Sequence, residues 1–90
     1  MALTDAAEVE TTLRAVLADV LGLDSARVAG FNGATPLFGA LPEFDSLAVA
    51  GLLTELEERL GILIEDHEVD AEMMETFGSL LTFARAKTLR

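Results

Sequence analysis

The chain has no cysteine, no tryptophan and no tyrosine, and among its 90 residues there are two prolines, one histidine and six basic side chains. Without cysteine there is no disulfide framework, no thiolate metal site and no thiol nucleophile, so folding must rest on packing. The five aromatic residues are all Phe, which makes the expected core aliphatic, mainly Leu and Val. Sixteen acidic residues against six basic ones give a formal charge of −10. Such a surface repels nucleic acid and anionic membranes and attracts proteins with basic patches. No apolar run approaches the ~20 residues that span a bilayer, so no membrane insertion is expected. The start, Met1-Ala2-Leu3-Thr4-Asp5, lacks the basic region and apolar stretch of a signal peptide, and the chain reads as cytoplasmic.

About half the residues are apolar, enough to fold, and the length allows one small domain, 1–90, with one core and no cleft between domains. From Asp5 to Leu21, Val9, Leu13, Val16, Leu17 and Val20 recur at helical spacing. Asp5 with Glu8 resembles a capping box, and Gly22 suits the left-handed position past the helix end. Residues 22–44 hold four glycines and both prolines, including Asn32-Gly33 and Thr35-Pro36, which predicts a long connection. Its Leu23, Val28, Phe31, Leu37, Phe38, Leu41 and Phe44 should plaster it onto the core. Within it Asp24 could cap a single helical turn through Val28.

A further helix is expected over Ser46–Leu60, with Val49, Leu53, Leu56 and Leu60 as the core stripe, Leu52 widening it, and Gly61 as its stop. Leu47, Ala50 and Thr54 form a second line that faces outward and leads into Glu55, Glu57 and Glu58. Gly51 inside a helix costs about 1 kcal/mol relative to Ala, which suggests close approach by a neighbour or simple drift. Ile62-Leu63-Ile64 has no strand to pair with and reads as an extended connector. Asp66 or Asp70 caps a short helix that ends near Glu75, on the four-residue spacing of Val69, Met73 and Phe77. Thr76 caps a last helix with Phe77, Leu80, Leu81 and Ala84 on one face and Arg85, Lys87 and Arg90 at its end. Three or four helices in one bundle follow.

The stretch Leu41-Pro42-Glu43-Phe44-Asp45-Ser46-Leu47 holds the chemistry. Asp45 is a good N-cap, and Ser46 falls at the first helical position with its hydroxyl toward water. A phosphate ester there would sit at the positive end of the helix dipole, an advantage of a few tenths to about 1 kcal/mol. The plainer reading is that Asp45-Ser46 merely begins a helix. As a catalytic nucleophile Ser46 lacks the Gly-x-Ser-x-Gly elbow, and the single histidine, His67, lies in an acidic run as a solvated side chain, so no catalytic residue is assigned. The run Glu65 to Glu72 fails the calcium-loop template, because Ala71 stands where a loop starting at Asp66 needs glycine. No metal ligand set is assigned, and Met73 and Met74 read as core.

On the triplet Asp45-Ser46-Leu47 the chain resembles the acyl carrier protein family, including the related peptidyl carrier domains. The likeness runs on through Glu57-Glu58-Arg59-Leu60-Gly61, Ile62 and Ile64, and Thr76-Phe77-Gly78-Ser79-Leu80, nearly the whole chain. It implies an all-α fold, a small four-helix bundle with a long first loop and a short third helix. It also implies a phosphoprotein in which Ser46, flanked by Asp45 and Leu47, carries 4′-phosphopantetheine transferred from coenzyme A by a magnesium-dependent phosphopantetheinyl transferase. Acyl intermediates, as in fatty acid biosynthesis and lipid metabolism, would ride as thioesters on that arm. A monomer would present them to acyl-loading and acyl-transferring enzymes with basic patches, which meet Leu47, Ala50, Thr54, Glu55 and Glu58. Ala48 and Gly51 replace acids common early in this helix, and the Thr35–Phe44 loop is unlike that of housekeeping carriers, both pointing to a specialised carrier. An aminoacyl or peptidyl carrier, or an unmodified helical interaction module of the same fold, are the alternative readings.

Overall fold

The computed structural model describes residues 5–89. The signal-peptide reading of Met1–Thr4 and the terminal charge of Arg90 therefore lie outside the described residues. Among the described residues there are four α-helices, α1 Ala6–Leu21, α2 Ser25–Ala29, α3 Ser46–Leu60 and α4 Phe77–Thr88, with a 3-10 turn at Asp66–Glu68. The architecture is the expected all-α small bundle. α1 is its hub, packing against α2, α3 and α4.

Local chemistry accounts for most of the helix ends. Asp5 accepts from the Glu8 N–H at 2.9 Å, the forward half of the expected capping box, and Asp24 accepts from Ala26 N–H at 3.0 Å to open α2. Thr76 and Ser79 exchange reciprocal bonds at the start of α4, where Thr76 accepts from Ser79 N–H at 3.0 Å. Gly22 and Gly61 close α1 and α3 at φ 67° and 66°, in the left-handed region where a Cβ would be strained.

Val9, Leu13, Val16 and Leu17 of α1 are buried together with Leu52 and Leu56 of α3 and Phe77, Leu80 and Ala84 of α4. Burying each large aliphatic chain stabilises by about 1.5–3 kcal/mol. The core axis of α3 is therefore Leu52–Leu56, and the expected stripe residues Val49, Leu53 and Leu60 are only partly buried. Val20 on α1 likewise sits at the edge of the core, where its Cγ1 faces Gly51. Among the described residues no polar or charged residue is buried.

The long connection is plastered on the core through Leu23, Val28, Phe31, Leu37 and Phe44. Its end of α2 is held by Arg14, whose guanidinium donates to the Val28 carbonyl at 2.7 Å, binds Glu10 at 2.6 Å and lies 4.5 Å from the Phe77 ring centre. Farther along, the loop pairs antiparallel with the chain before α4. Leu37 and Phe38 N–H donate to the Glu75 and Met74 carbonyls at 2.8 and 3.0 Å, and Phe77 and Gly78 N–H donate to the Thr35 and Gly33 carbonyls at 2.8 and 3.1 Å. The bridge Pro36–Thr76 lies at the centre of this clamp.

One departure from expectation lies beside the clamp. The short helix expected to end near Glu75 is instead the 3-10 turn Asp66–Glu68 followed by an irregular turn at 71–74. Val69 is extended at φ −95° and ψ 123°, which breaks the helical path between the two turns, and the Met74 and Glu75 carbonyls accept from the loop while Thr76, extended at φ −131°, caps α4 as expected. Val69, Met73 and Phe77 are four apart because each turns toward the core, not because they share a helix. Asp70 caps the 71–74 turn through Met73 N–H at 2.9 Å, and Glu65 and Glu68 cap the 3-10 turn reciprocally.

Two glycines in helices should respond oppositely to alanine. A Cβ on Gly78 would lie 2.6 Å from the Gly33 carbonyl oxygen, so Gly78→Ala should destabilise by about 1–3 kcal/mol in urea denaturation. A Cβ on Gly51 would meet Val20 Cγ1 at an ordinary 3.4 Å, and Gly51→Ala should stabilise by up to about 1 kcal/mol.

A pH dependence follows from Glu68. Its bond from the Glu65 N–H and its ion pair with Lys87 at 2.8 Å hold its carboxyl below the ordinary value of 4.5. Because the folded pKa is depressed, this stabilisation is complete above about 4.5 and disappears as pH falls through the folded value. The melting-temperature gap between wild type and Glu68→Gln should accordingly be full at pH 6 to 7 and close on acidification, whatever the other carboxylates do to both proteins.

Candidate functional site

The loop reaches α3 through Phe44, which is buried and whose N–H donates to the Leu41 carbonyl at 3.0 Å. With that ring anchored inward, the next residues turn out. Asp45 is extended and its carboxylate accepts from Ala48 N–H at 2.9 Å, while its carbonyl accepts from Val49 N–H at 2.9 Å. The Val49 bond is the first regular bond of the helix, and the Ala48 bond satisfies one of the amides that the helix start leaves unpaired. The Ser46 and Leu47 N–H groups have no acceptor among the described residues. Ser46 is exposed, and its hydroxyl makes no hydrogen bond among them. Beside it is an open cavity of ≈ 380 Å³ lined by Phe38 to Pro42, Phe44, Asp45 and Ser46.

A reachable hydroxyl, two open amides and the positive end of a 15-residue helix suit a phosphodiester, so the residues present fit a phosphate-linked arm. No acid–base partner touches Ser46 among the described residues. His67 is exposed on the 3-10 turn. No group of three or more His, Cys, Asp or Glu side chains that could hold a metal occurs among the described residues. Members of the acidic run instead cap turns, with Glu68 also pairing with Lys87.

The outward line of α3 is present: Leu47 is 83% exposed, and Ala50, Thr54 and Glu58 follow it on the same side at spacings of three and four. The expected acidic stretch is partly consumed by the protein itself. Glu55 is paired with Arg59 at 2.9 Å, and Arg59 with Asp19 at 2.8 Å. Hydrogen bonds to Asp19, then to Glu55, raise the Arg59 pKa further. Glu57 accepts the Ile64 N–H at 2.7 Å and so anchors the connector after α3. Of these three acids, Glu58 alone makes no ion pair or hydrogen bond among the described residues. The Glu55–Arg59 pair has the i, i+4 spacing of a helix ion pair, but Asp19 lies 40 residues away and leaves no local signal. Phe38, which lines the cavity next to Ser46, was legible only as a loop residue plastered on the core.

The phosphopantetheine attachment site family model matches residues 11–85. Among solved structures, the chain is similar to the solution NMR structure of a holo acyl carrier protein from Nitrosomonas europaea. The two are 37% identical with a TM-score of 0.77, over 87% of this chain and 92% of that one. No curated protein sequence matches. A fold of this kind with an attachment-site match defines a carrier domain, one that bears 4′-phosphopantetheine covalently and is not itself an enzyme. Within that class, the chain belongs to the acyl carrier protein family. Carriers of this kind meet a phosphopantetheinyl transferase and the enzymes that handle the carried group. No helix among the described residues is long and apolar enough to cross a membrane.

Loss of the Asp45 cap should be measurable. Asp45→Ala leaves the Ala48 N–H without its acceptor and should cost about 1 kcal/mol in thermal or urea unfolding.

Proposed function

We propose that Ser46 is the attachment residue and that the protein carries acyl intermediates as thioesters, delivering them to successive enzymes. The observation that carries this is the exposed Ser46 hydroxyl at the first position of α3, next to unpaired amides. Asp45 holds the helix start open, and Leu47 offers an apolar contact beside the arm. When attached, the arm supplies a terminal thiol that forms the thioester. Partner enzymes would dock on Leu47, Ala50 and Thr54, with Glu58, and Glu55 behind its arginine, providing charge for a basic patch. Such charge mainly sets encounter rate and choice of partner.

Ala48 and Gly51 keep the head of α3 free of acids, and the unusual loop before it walls the cavity next to Ser46. Both favour a specialised carrier over a general fatty-acid one. We read it as a cytoplasmic monomer forming a single domain over 1–90.

Intact-mass measurement tests the attachment residue. Incubation with coenzyme A, magnesium and a broad-specificity phosphopantetheinyl transferase should add one phosphopantetheine to the wild type and none to Ser46→Ala. A protein that gains no mass, or gains it without the Ser46 hydroxyl, is not the carrier proposed.

A further inference from the structure

The dipeptide Asn32-Gly33 has no part in the site described above. Asn32 is the chain's single asparagine and there is no glutamine, so it holds the only side-chain amide. It is exposed, as are Gly33 and Ala34. Two bonds fix its turn: Asn32 N–H donates to the Thr35 hydroxyl at 2.8 Å, and Thr35 N–H donates to the Asn32 carbonyl at 3.0 Å.

The reactive groups are placed differently. Asn32 Oδ1 accepts from Ala34 N–H at 2.8 Å, a donor aimed at the oxygen where negative charge would develop if a nucleophile attacked Cγ. Asn32 Nδ2 and the Gly33 N–H make no hydrogen bond among the described residues, so the leaving group and the adjacent nitrogen are both free. Neither packing nor backbone conformation demands glycine at 33: its φ is not positive, and a Cβ there would meet nothing within 4 Å. Its lack of a side chain leaves the nitrogen unshielded.

We propose that Asn32-Gly33 is a site of spontaneous modification, in which the Gly33 nitrogen closes on the Asn32 side-chain amide and the resulting isoaspartate unseats the clamp. The reaction needs only water. Solvent base removes the Gly33 amide proton, the nitrogen bonds to Cγ, and Nδ2 departs with a proton as ammonia, leaving a five-membered succinimide. Water then opens the ring. Cleavage at the Cγ–N bond gives ordinary aspartate, whereas cleavage between the main-chain carbonyl carbon and nitrogen gives isoaspartate, whose backbone runs through the side chain and is longer by one methylene.

The seat of Gly33 gives that methylene its effect. The Gly33 carbonyl accepts from Gly78 N–H at 3.1 Å, and a Cβ on Gly78 would lie 2.6, 3.0 and 3.2 Å from the Gly33 oxygen, Cα and carbonyl carbon. Two backbones packed this closely do not absorb an added atom. The rearrangement also moves the carbonyl used by Thr35 N–H onto a branch. Because the Thr35 carbonyl in turn accepts from Phe77 N–H at 2.8 Å, the disturbance passes along the clamp.

The test ages the full chain at mildly alkaline pH and follows its intact mass. A gain of one mass unit by amide hydrolysis reports on Asn32 alone, and isoaspartyl methyltransferase with labelled S-adenosylmethionine counts the isoaspartate. Wild type should acquire both the mass and the label. Gly33→Ala, verified as folded by circular dichroism, should gain the mass about tenfold more slowly. In the isoaspartate fraction, isolated by chromatography, hydrogen-exchange protection of the Phe77 and Gly78 amides should fall several-fold while α1 amides are unchanged. Asn32→Asp, which adds the charge without the methylene, should keep that protection. The proposal is overturned by an unchanging mass, by Gly33→Ala ageing as fast as wild type, by isoaspartate with the clamp amides still protected, or by Asn32→Asp with protection lost.

Discussion

Between residues 33–38 and 74–78, two stretches of irregular chain bond to each other through their backbones, and the position of the rest of the loop depends on those four hydrogen bonds. They satisfy amides at the start of α4 that helix geometry leaves unpaired, and they bind a connection that would otherwise pay a large entropy for order. They also require that Gly78 have no side chain, since the Gly33 carbonyl occupies that space. With the clamp closed, Leu37 is sealed in the core and the chain beyond it has a short, defined path to the Phe44 anchor. Ser46 is exposed because Phe44 is not.

Electrostatics separate into an internal and an external part. Glu10 joins Arg14 and Arg85, Glu55 and Asp19 share Arg59, and Glu68 takes Lys87. In each case an acid ties two elements or two turns together, and hydrogen bonds from Arg14 and Arg85 hold the Glu10 carboxyl below its usual range. What remains for a partner near Ser46 is less a negative stripe than a bare leucine with a single free acid three turns along. The formal charge of −10 acts at longer range, as a field felt before contact.

Features governed by near neighbours in the chain were legible in the sequence. Asp5, Asp45 and Thr76 cap the helices they were expected to cap, and Gly22 and Gly61 stop α1 and α3, because capping is settled within one turn. The exposure of Ser46 and Leu47 followed from the same logic. What escaped was set by distant partners. The 69–75 segment carries helical spacing, yet Val69 is extended and the Met74 and Glu75 carbonyls are taken by Phe38 and Leu37. Leu52 and Leu56 became the buried axis of α3 over the Val49–Leu53–Leu60 line because α1 approaches from that side, with Val20 against Gly51. Nothing in the run Glu55 to Glu58 shows that Glu57 would hold the Ile64 amide or that Arg59 would reach Asp19.

No side-chain hydrogen-bond network runs through the interior: among the described residues no polar or charged residue is buried, and two adjacent methionines, Met73 and Met74, belong to the core. Polar networks lock a core into one arrangement because each displaced donor must find its acceptor again. A core held only by dispersion and water exclusion has no such ratchet, and thioether side chains conform to new shapes at little cost. Shape and apolar contact alone therefore decide how the elements of this bundle seat against one another.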